Sequence, residues 1–143
     1  MVDIVKQTIS EREFQKWVLE AFEQDSNIIM WRNNTGVSKM ENKRFVRFGA
    51  PGSADIIGIV KHFRCKSCNA SQDGVFLAIE LKSEKGKPTN KQTEWLNQVS
   101  QYNGIAILLF PEEKDPIGLR ERIEKMIYSM VCPRCYEKSK IQT

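Results

Sequence analysis

Two pairs of cysteines constrain this chain more than any other feature. Cys65-Lys66-Ser67-Cys68 and Cys132-Pro133-Arg134-Cys135 are both CxxC turns, with residues 69–131 between them. Each turn presents two thiolates on one side, and two turns together supply the four ligands of a closed tetrahedral zinc site. Compact zinc ribbons separate their pairs by about 15–20 residues. Here the gap is 63 residues, so one shared Zn2+ site at Cys65, Cys68, Cys132 and Cys135 requires a fold that returns the C-terminus to residue 65. In a reducing compartment zinc is the first reading of such pairs. A redox pair, disulfides and inert thiols are the alternatives that spacing leaves open.

The 143 residues suffice for a single domain, 1–143, with its own core. A hydrophobic fraction of 41% and a charged fraction of 28% exclude wholesale disorder. There is no apolar run of about 18 residues, so no membrane partner is expected. The segment Met1–Lys6 lacks a basic region followed by a long apolar stretch, and the expectation is a cytoplasmic protein. Twenty-two basic residues against 18 acidic ones leave a net charge of +4, which permits a nucleic-acid partner without demanding one.

Ser10 has the character of an N-cap, with Glu13 at capping-box spacing, and Phe14, Trp17, Val18, Ala21 and Phe22 form the apolar stripe of a helix over roughly 10–24. Ile28–Trp31 reads as a short strand. Residues 33–53, with Asn33-Asn34-Thr35-Gly36, Gly49, Pro51 and Gly52, read largely as loop, with Arg44–Phe48 alternating as a minor strand. Asp55–Val60 and Val75–Ile79 are β-rich apolar runs of the kind found in central strands, joined by an insert over 61–74 that holds the first cysteine pair. Thr89 and Gln92 cap a second helix with the stripe Trp95, Leu96, Val99 and Tyr102, ended by Gly104. Ile105–Phe110 is a further buried strand. Asp115-Pro116 opens a third helix with the stripe Leu119, Ile123, Met126, Ile127 and Met130. Strands interleaved with helices predict one α/β domain, a mixed β-sheet flanked by helices.

Three charged residues stand out on this scaffold. If the two central strands form an antiparallel hairpin, Asp55 at the start of one and Glu80 at the end of the next share one end of the sheet. Lys82, two residues beyond Glu80, shares its face. Carboxylate oxygens are the ligands preferred by Mg2+, and a lysine beside them can orient water or stabilise negative charge.

The order Gly52-Ser53-Ala54-Asp55, hairpin, Glu80-Leu81-Lys82 resembles the PD-(D/E)xK nuclease superfamily, and specifically its virus-type replication-repair (VRR-NUC) branch. Supporting blocks run in the family's order across about residues 10–110. They are Ser10–Gln15, Trp31–Gly36, Gly52–Gly58, Ala78–Ser83 and Gly86–Gln92. Ser53-Ala54 stands where a proline is usual, and both cysteine pairs lie outside the common core. The resemblance implies a restriction-endonuclease-like fold and a metal-dependent DNA endonuclease or structure-selective nuclease in replication, repair or recombination of viral or mobile DNA, in a bacterial cell or a virus-infected host cell. It implies Mg2+ or Mn2+ on Asp55 and Glu80, with the Leu81 carbonyl as a further ligand and Lys82 acting on the attacking water. It also implies a site glutamate on the first helix. Glu11 is preferred to Glu13 because it borders the buried stripe, while Glu13 pairs with Ser10. Gln92 matches the family's second-helix glutamine, or is only a cap. Lys39, Lys43, Arg44, Arg47, Lys85, Lys87 and Lys91 are the expected phosphate contacts on DNA. The rival readings are a Holliday-junction-resolvase-like homodimer and a zinc-stapled nucleic-acid-binding module without catalysis.

Chain direction tests the cysteine pairing independently of the family. The strand from Asp55 leads away from the carboxylate end, so the 61–74 tip lies at the far end. The crossover through the second helix must return before a parallel strand begins, and the third helix then carries residues 131–143 to that same far end. The expected outcome is a zinc staple between hairpin tip and C-terminus, remote from Asp55 and Glu80.

Overall fold

The computed structural model describes residues 9–83, 85–111, 116–130 and 135. The elements are α1 (Glu11–Ala21), β1 (Ile28–Arg32), β2 (Gly36–Lys39), β3 (Phe45–Phe48), β4 (Ile56–Arg64), β5 (Ser71–Leu81), α2 (Asn90–Gln101), β6 (Ile105–Leu109) and α3 (Pro116–Tyr128). Four strands form one mixed sheet in the order β1-β4-β5-β6, and β2 and β3 form a separate two-stranded ribbon. β4 runs antiparallel to β1 and β5, whereas β5 and β6 are parallel, as a helical crossover through α2 demands. Among the described residues no helix is long and apolar enough to cross a membrane.

The sheet's two faces are covered unequally. Leu77, Ile79 and Leu81 of β5 alternate onto the face shared with Ile56, Val60, Ile107 and Leu109, where Phe14, Val18 and Phe22 of α1 and Leu119, Ile123 and Ile127 of α3 complete the main core. On the other face Ala54, Ala78 and Ala106 present little more than backbone, so α2 packs closely through Trp95, Leu96 and Val99. α2 contacts β5 and β6, and Ile29, Trp31 and Ile59 on β1 and β4 remain exposed.

Three expectations need correction. The 61–74 insert is mostly strand, because β4 and β5 continue in register through His62↔Asp73, Phe63↔Gln72 and Arg64↔Ser71. Phe63 is buried in the main core, which extends the hairpin as a ladder and confines the turn to the cysteine pair. The 33–53 segment holds two strands rather than one, since Gly36–Lys39, too short and polar to stand out as a strand, pairs with Phe45–Phe48. Tyr102 is no part of the α2 stripe. It is the C-cap residue and is 84% exposed, because the helix ends before its side chain reaches the sheet. Asp115, the expected cap of α3, lies outside the described residues.

Gly58 fixes how closely β1 lies against β4. A Cβ at this position would fall directly against the Ile29 carbonyl oxygen and close to Met30. Gly58→Ala is therefore expected to destabilise the protein by about 1–3 kcal/mol, read as a lowered urea midpoint with an unchanged m-value.

Candidate functional site

The carboxylate end of the sheet is assembled by hydrogen bonds that begin in the turn before β4. Gly52 takes a φ of +77° with its Cα against the Lys91 backbone, so neither the conformation nor the space suits a side chain. Asn33 locks the turn: its Nδ2 donates to Ser53 Oγ at 2.8 Å and to the Ala54 carbonyl at 2.9 Å. Its backbone N–H donates to the Asp55 carbonyl at 2.8 Å. The Asp55 carboxylate then accepts from the Leu81 N–H at 2.9 Å, tying it to the end of β5 beside Glu80.

Glu80 is 1% exposed and Lys82 9% exposed, unusual burial for both residue types. Two donors converge on one oxygen, with Gln92 Nε2 donating to Glu80 Oε1 at 2.9 Å and Lys82 Nζ 3.4 Å from that same atom. Glu80 Oε2 is buried with no hydrogen-bond partner among the described residues. Burial pushes the Glu80 carboxyl up to about 7, and the neighbouring Asp55 carboxylate raises it further than Lys82 lowers it. Ionising both Asp55 and Glu80 would set two like charges side by side in a buried place, a cost that a shared proton or a bound cation would relieve.

The remaining expected residues fall around this pair. Glu11 Oε1 accepts from the Ser83 N–H at 3.0 Å, placing the α1 carboxylate at the end of β5 next to Lys82. Glu13 belongs to the cap, its N–H donating to Ser10 Oγ at 3.2 Å. Gln92 uses both atoms of its amide. Its Oε1 accepts from the Thr89 N–H at 2.9 Å as half of a capping box, while its Nε2 holds Glu80. Lys85, Lys87 and Lys91 are exposed in the segment that leads from Lys82 into α2, and Lys39, Lys43, Arg44 and Arg47 are exposed on the β2–β3 ribbon and its turn. Asn33 is the site residue that sequence reasoning left without a role. It sits in a recognisable block, but a hydrogen bond to a turn 20 residues away has no local pattern.

A second cluster lies at the other end of the sheet. Cys65, Cys68 and Cys135 bring their Sγ atoms within 4.8 Å of one another, and Cys65 and Cys135 approach to 3.8 Å. Sulfurs bound at about 2.3 Å in a tetrahedron lie ~3.8 Å apart, so these three thiols can hold a metal ion such as zinc. Cys132 lies outside the described residues. His62 does not join the cluster's ligand set; its Nδ1 meets Asp73 Oδ1 at 2.7 Å across the hairpin.

The raised Glu80 value carries a stability consequence. In the unfolded chain this carboxyl ionises near its ordinary 4.5, and in the fold near 7. The contribution to stability is therefore full below about pH 4.5 and lost as pH rises towards 7. Glu80→Gln keeps the amide-sized side chain and removes the charge. In chelator it is expected to match wild type within about 0.5 kcal/mol at pH 4.5 and to exceed it by roughly 1–3 kcal/mol at pH 8, measured by urea unfolding. Compared with known proteins, the chain matches no family model, no curated protein and no solved structure.

Proposed function

We propose that this protein is a metal-dependent DNA endonuclease with a restriction-endonuclease-like fold of the PD-(D/E)xK type. The observation that carries the reading is the buried, unpartnered Glu80 Oε2 beside Asp55. A buried carboxylate pair without a cation is costly, and oxygen ligands at a sheet edge suit Mg2+ or Mn2+, which retain waters in their other positions. The ligands proposed are Asp55, Glu80 and the Leu81 carbonyl. When bound, such a cation neutralises charge on the scissile phosphate and supplies an activated water.

The chain's own residues divide the remaining work. Gln92 and Lys82 both hold Oε1 of Glu80, which leaves Oε2 as the oxygen proposed to ligate. Lys82 is positioned to orient the attacking water or to stabilise charge on the phosphate. Glu11, bonded to the Ser83 N–H, holds the segment that carries Lys82. Exposed Lys85, Lys87 and Lys91 are proposed to take the DNA backbone beside the site. The far-end cysteines are proposed to form a structural Zn2+ staple with Cys132 as fourth ligand, clamping the hairpin tip to the end of α3.

Asp55→Asn and Glu80→Gln are expected to abolish Mg2+- or Mn2+-dependent cleavage of a mixed panel of duplexes, flaps, junctions and single strands, with the fold retained. Wild-type cleavage by either purified variant would exclude this site. Lys82→Ala should lower kcat at least 100-fold with Kd for DNA changed less than threefold, since an effect confined to the transition state leaves ground-state binding intact.

For the staple, elemental analysis should give one zinc per chain. Cys68→Ser and Cys135→Ser should each lower stability by a similar amount, and the double variant little more than either, because the two residues act through one ion. Zinc-free protein of wild-type stability would refute the staple and leave the Asp55–Glu80 reading untouched.

A further inference from the structure

The β2–β3 ribbon carries more charge and more exposed apolar surface than its size explains. Residues 36–48 hold Lys39, Lys43, Arg44 and Arg47 against Glu41 alone, a net charge of +3 in a chain whose total is +4. Phe45 is 70% exposed and Phe48 45% exposed. Phe48 has a structural reason, since its ring lies over Gly36, where an added Cβ would meet Cζ at 2.9 Å. Phe45 has none, and it belongs to neither hydrophobic core cluster.

Register places Phe45 among cations. Val37 opposes Arg47 and Lys39 opposes Phe45, so Val37, Lys39, Phe45 and Arg47 share one face of the ribbon. On that face the Cβ of Phe45 has the Cβ of Lys39 about 5 Å across the ladder and that of Arg47 about 7 Å along the strand. An open aromatic face with a cation on each side is the arrangement that stacks an unpaired base and holds its neighbouring phosphates. A continuous duplex keeps its bases stacked inside and would use the cations alone. Pairing of this face with its own copy about a twofold axis would gather Lys39 and Arg47 with their equivalents, which like-charge repulsion opposes.

The ribbon is also tied to the carboxylate end. Its first strand begins three residues after Asn33, whose N–H donates to the Asp55 carbonyl at 2.8 Å and whose Nδ2 donates to Ser53 and Ala54. Its second strand ends at Phe48, followed by Gly49 at φ +72°. A ribbon of four residue pairs spans about 14 Å, so a base on Phe45 lies within a few nucleotides of Asp55.

We infer that the β2–β3 ribbon is a recognition arm for unpaired nucleotides, with Phe45 stacking on a base and Lys39 and Arg47 taking the adjacent phosphates. The inference deepens the nuclease reading and rests on it for its consequence: the site would receive DNA with a single-stranded segment in preference to continuous duplex. The binding step itself needs neither metal nor cleavage.

The test is fluorescence anisotropy in EDTA at fixed ionic strength, comparing a labelled 20-nucleotide oligo-dT with a 20-base-pair duplex. Wild type should bind oligo-dT more tightly. Phe45→Ala should weaken oligo-dT binding about 5–100-fold with duplex binding within twofold, and Phe45→Trp should restore it. Arg47→Ala should weaken both ligands and reduce the salt slope by about one. Equal loss on both ligands in Phe45→Ala, no loss on either, or a wild type that favours duplex would each overturn the inference. So would a concentration-dependent dimer that Phe45→Ala converts to monomer without altering the discrimination. Cleavage by Asp55→Asn judges the nuclease reading separately, and neither result decides the other.

Discussion

β5 is paired on both sides, antiparallel to β4 and parallel to β6, and nearly everything else in the molecule is positioned by that double pairing. Its inward residues Leu77, Ile79 and Leu81 anchor the main core, and its opposite face carries Ala78 under α2 and then Glu80. A strand held by ladders on both edges cannot slip by one residue without exchanging its two faces. The same register that buries Leu77, Ile79 and Leu81 therefore drives Glu80 into the space beneath α2. The burial of a carboxylate is a consequence of strand pairing, and the surroundings must compensate for it.

The compensation is incomplete, and this gives the carboxylate end its chemical character. Lys82 and Gln92 satisfy one oxygen of Glu80, while the other is buried with no hydrogen-bond partner among the described residues. Buried polar groups are normally paired because an unmet one costs about 1–3 kcal/mol. Burial first, and the charge of the neighbouring Asp55 second, raise the Glu80 carboxyl to about 7. Gln92 shows how such a site is kept rigid: one amide both caps α2 and grips Glu80, so the helix start and the carboxylate are set together.

The cysteine cluster belongs to a different part of the same strand pair. From Ser71 to Glu80 β5 runs nine residue steps, about 30 Å, so the thiols and the carboxylates are separated by the length of the sheet. Local order at one end need not disturb geometry at the other. The β2–β3 ribbon stands apart from both, a polar and aromatic arm outside the core whose root, through Asn33, is fastened to the turn before Asp55.

Much of this was legible in the sequence because it follows from local pattern. The stripes Phe14–Val18–Phe22 and Leu119–Ile123–Ile127, the apolar runs around residues 56 and 79, and the cap at Thr89 are written at the spacings that helices and strands require. Topological rules sufficed to bring residue 135 back to Cys65 and Cys68, since a parallel β5–β6 pair and a returning helix leave one end of the sheet for both. What the sequence could not decide depends on contacts across the chain. The ladder through 61–74 exists because Phe63 finds the core, and β2 exists because β3 is opposite it; neither run announces itself alone. Gln92 stays open between a cap and a site glutamine until β5 places Glu80 within reach, and Asn33 is only part of a loop until Ser53 lies beside it. Glu11 and Glu13 are separated only by which carboxylate meets Ser83. Sequence by itself determined the elements and the charged residues worth watching. Tertiary structure alone decided which oxygen of Glu80 Gln92 and Lys82 hold and which has no partner among the described residues, because that is a matter of a few ångströms between elements far apart in the chain.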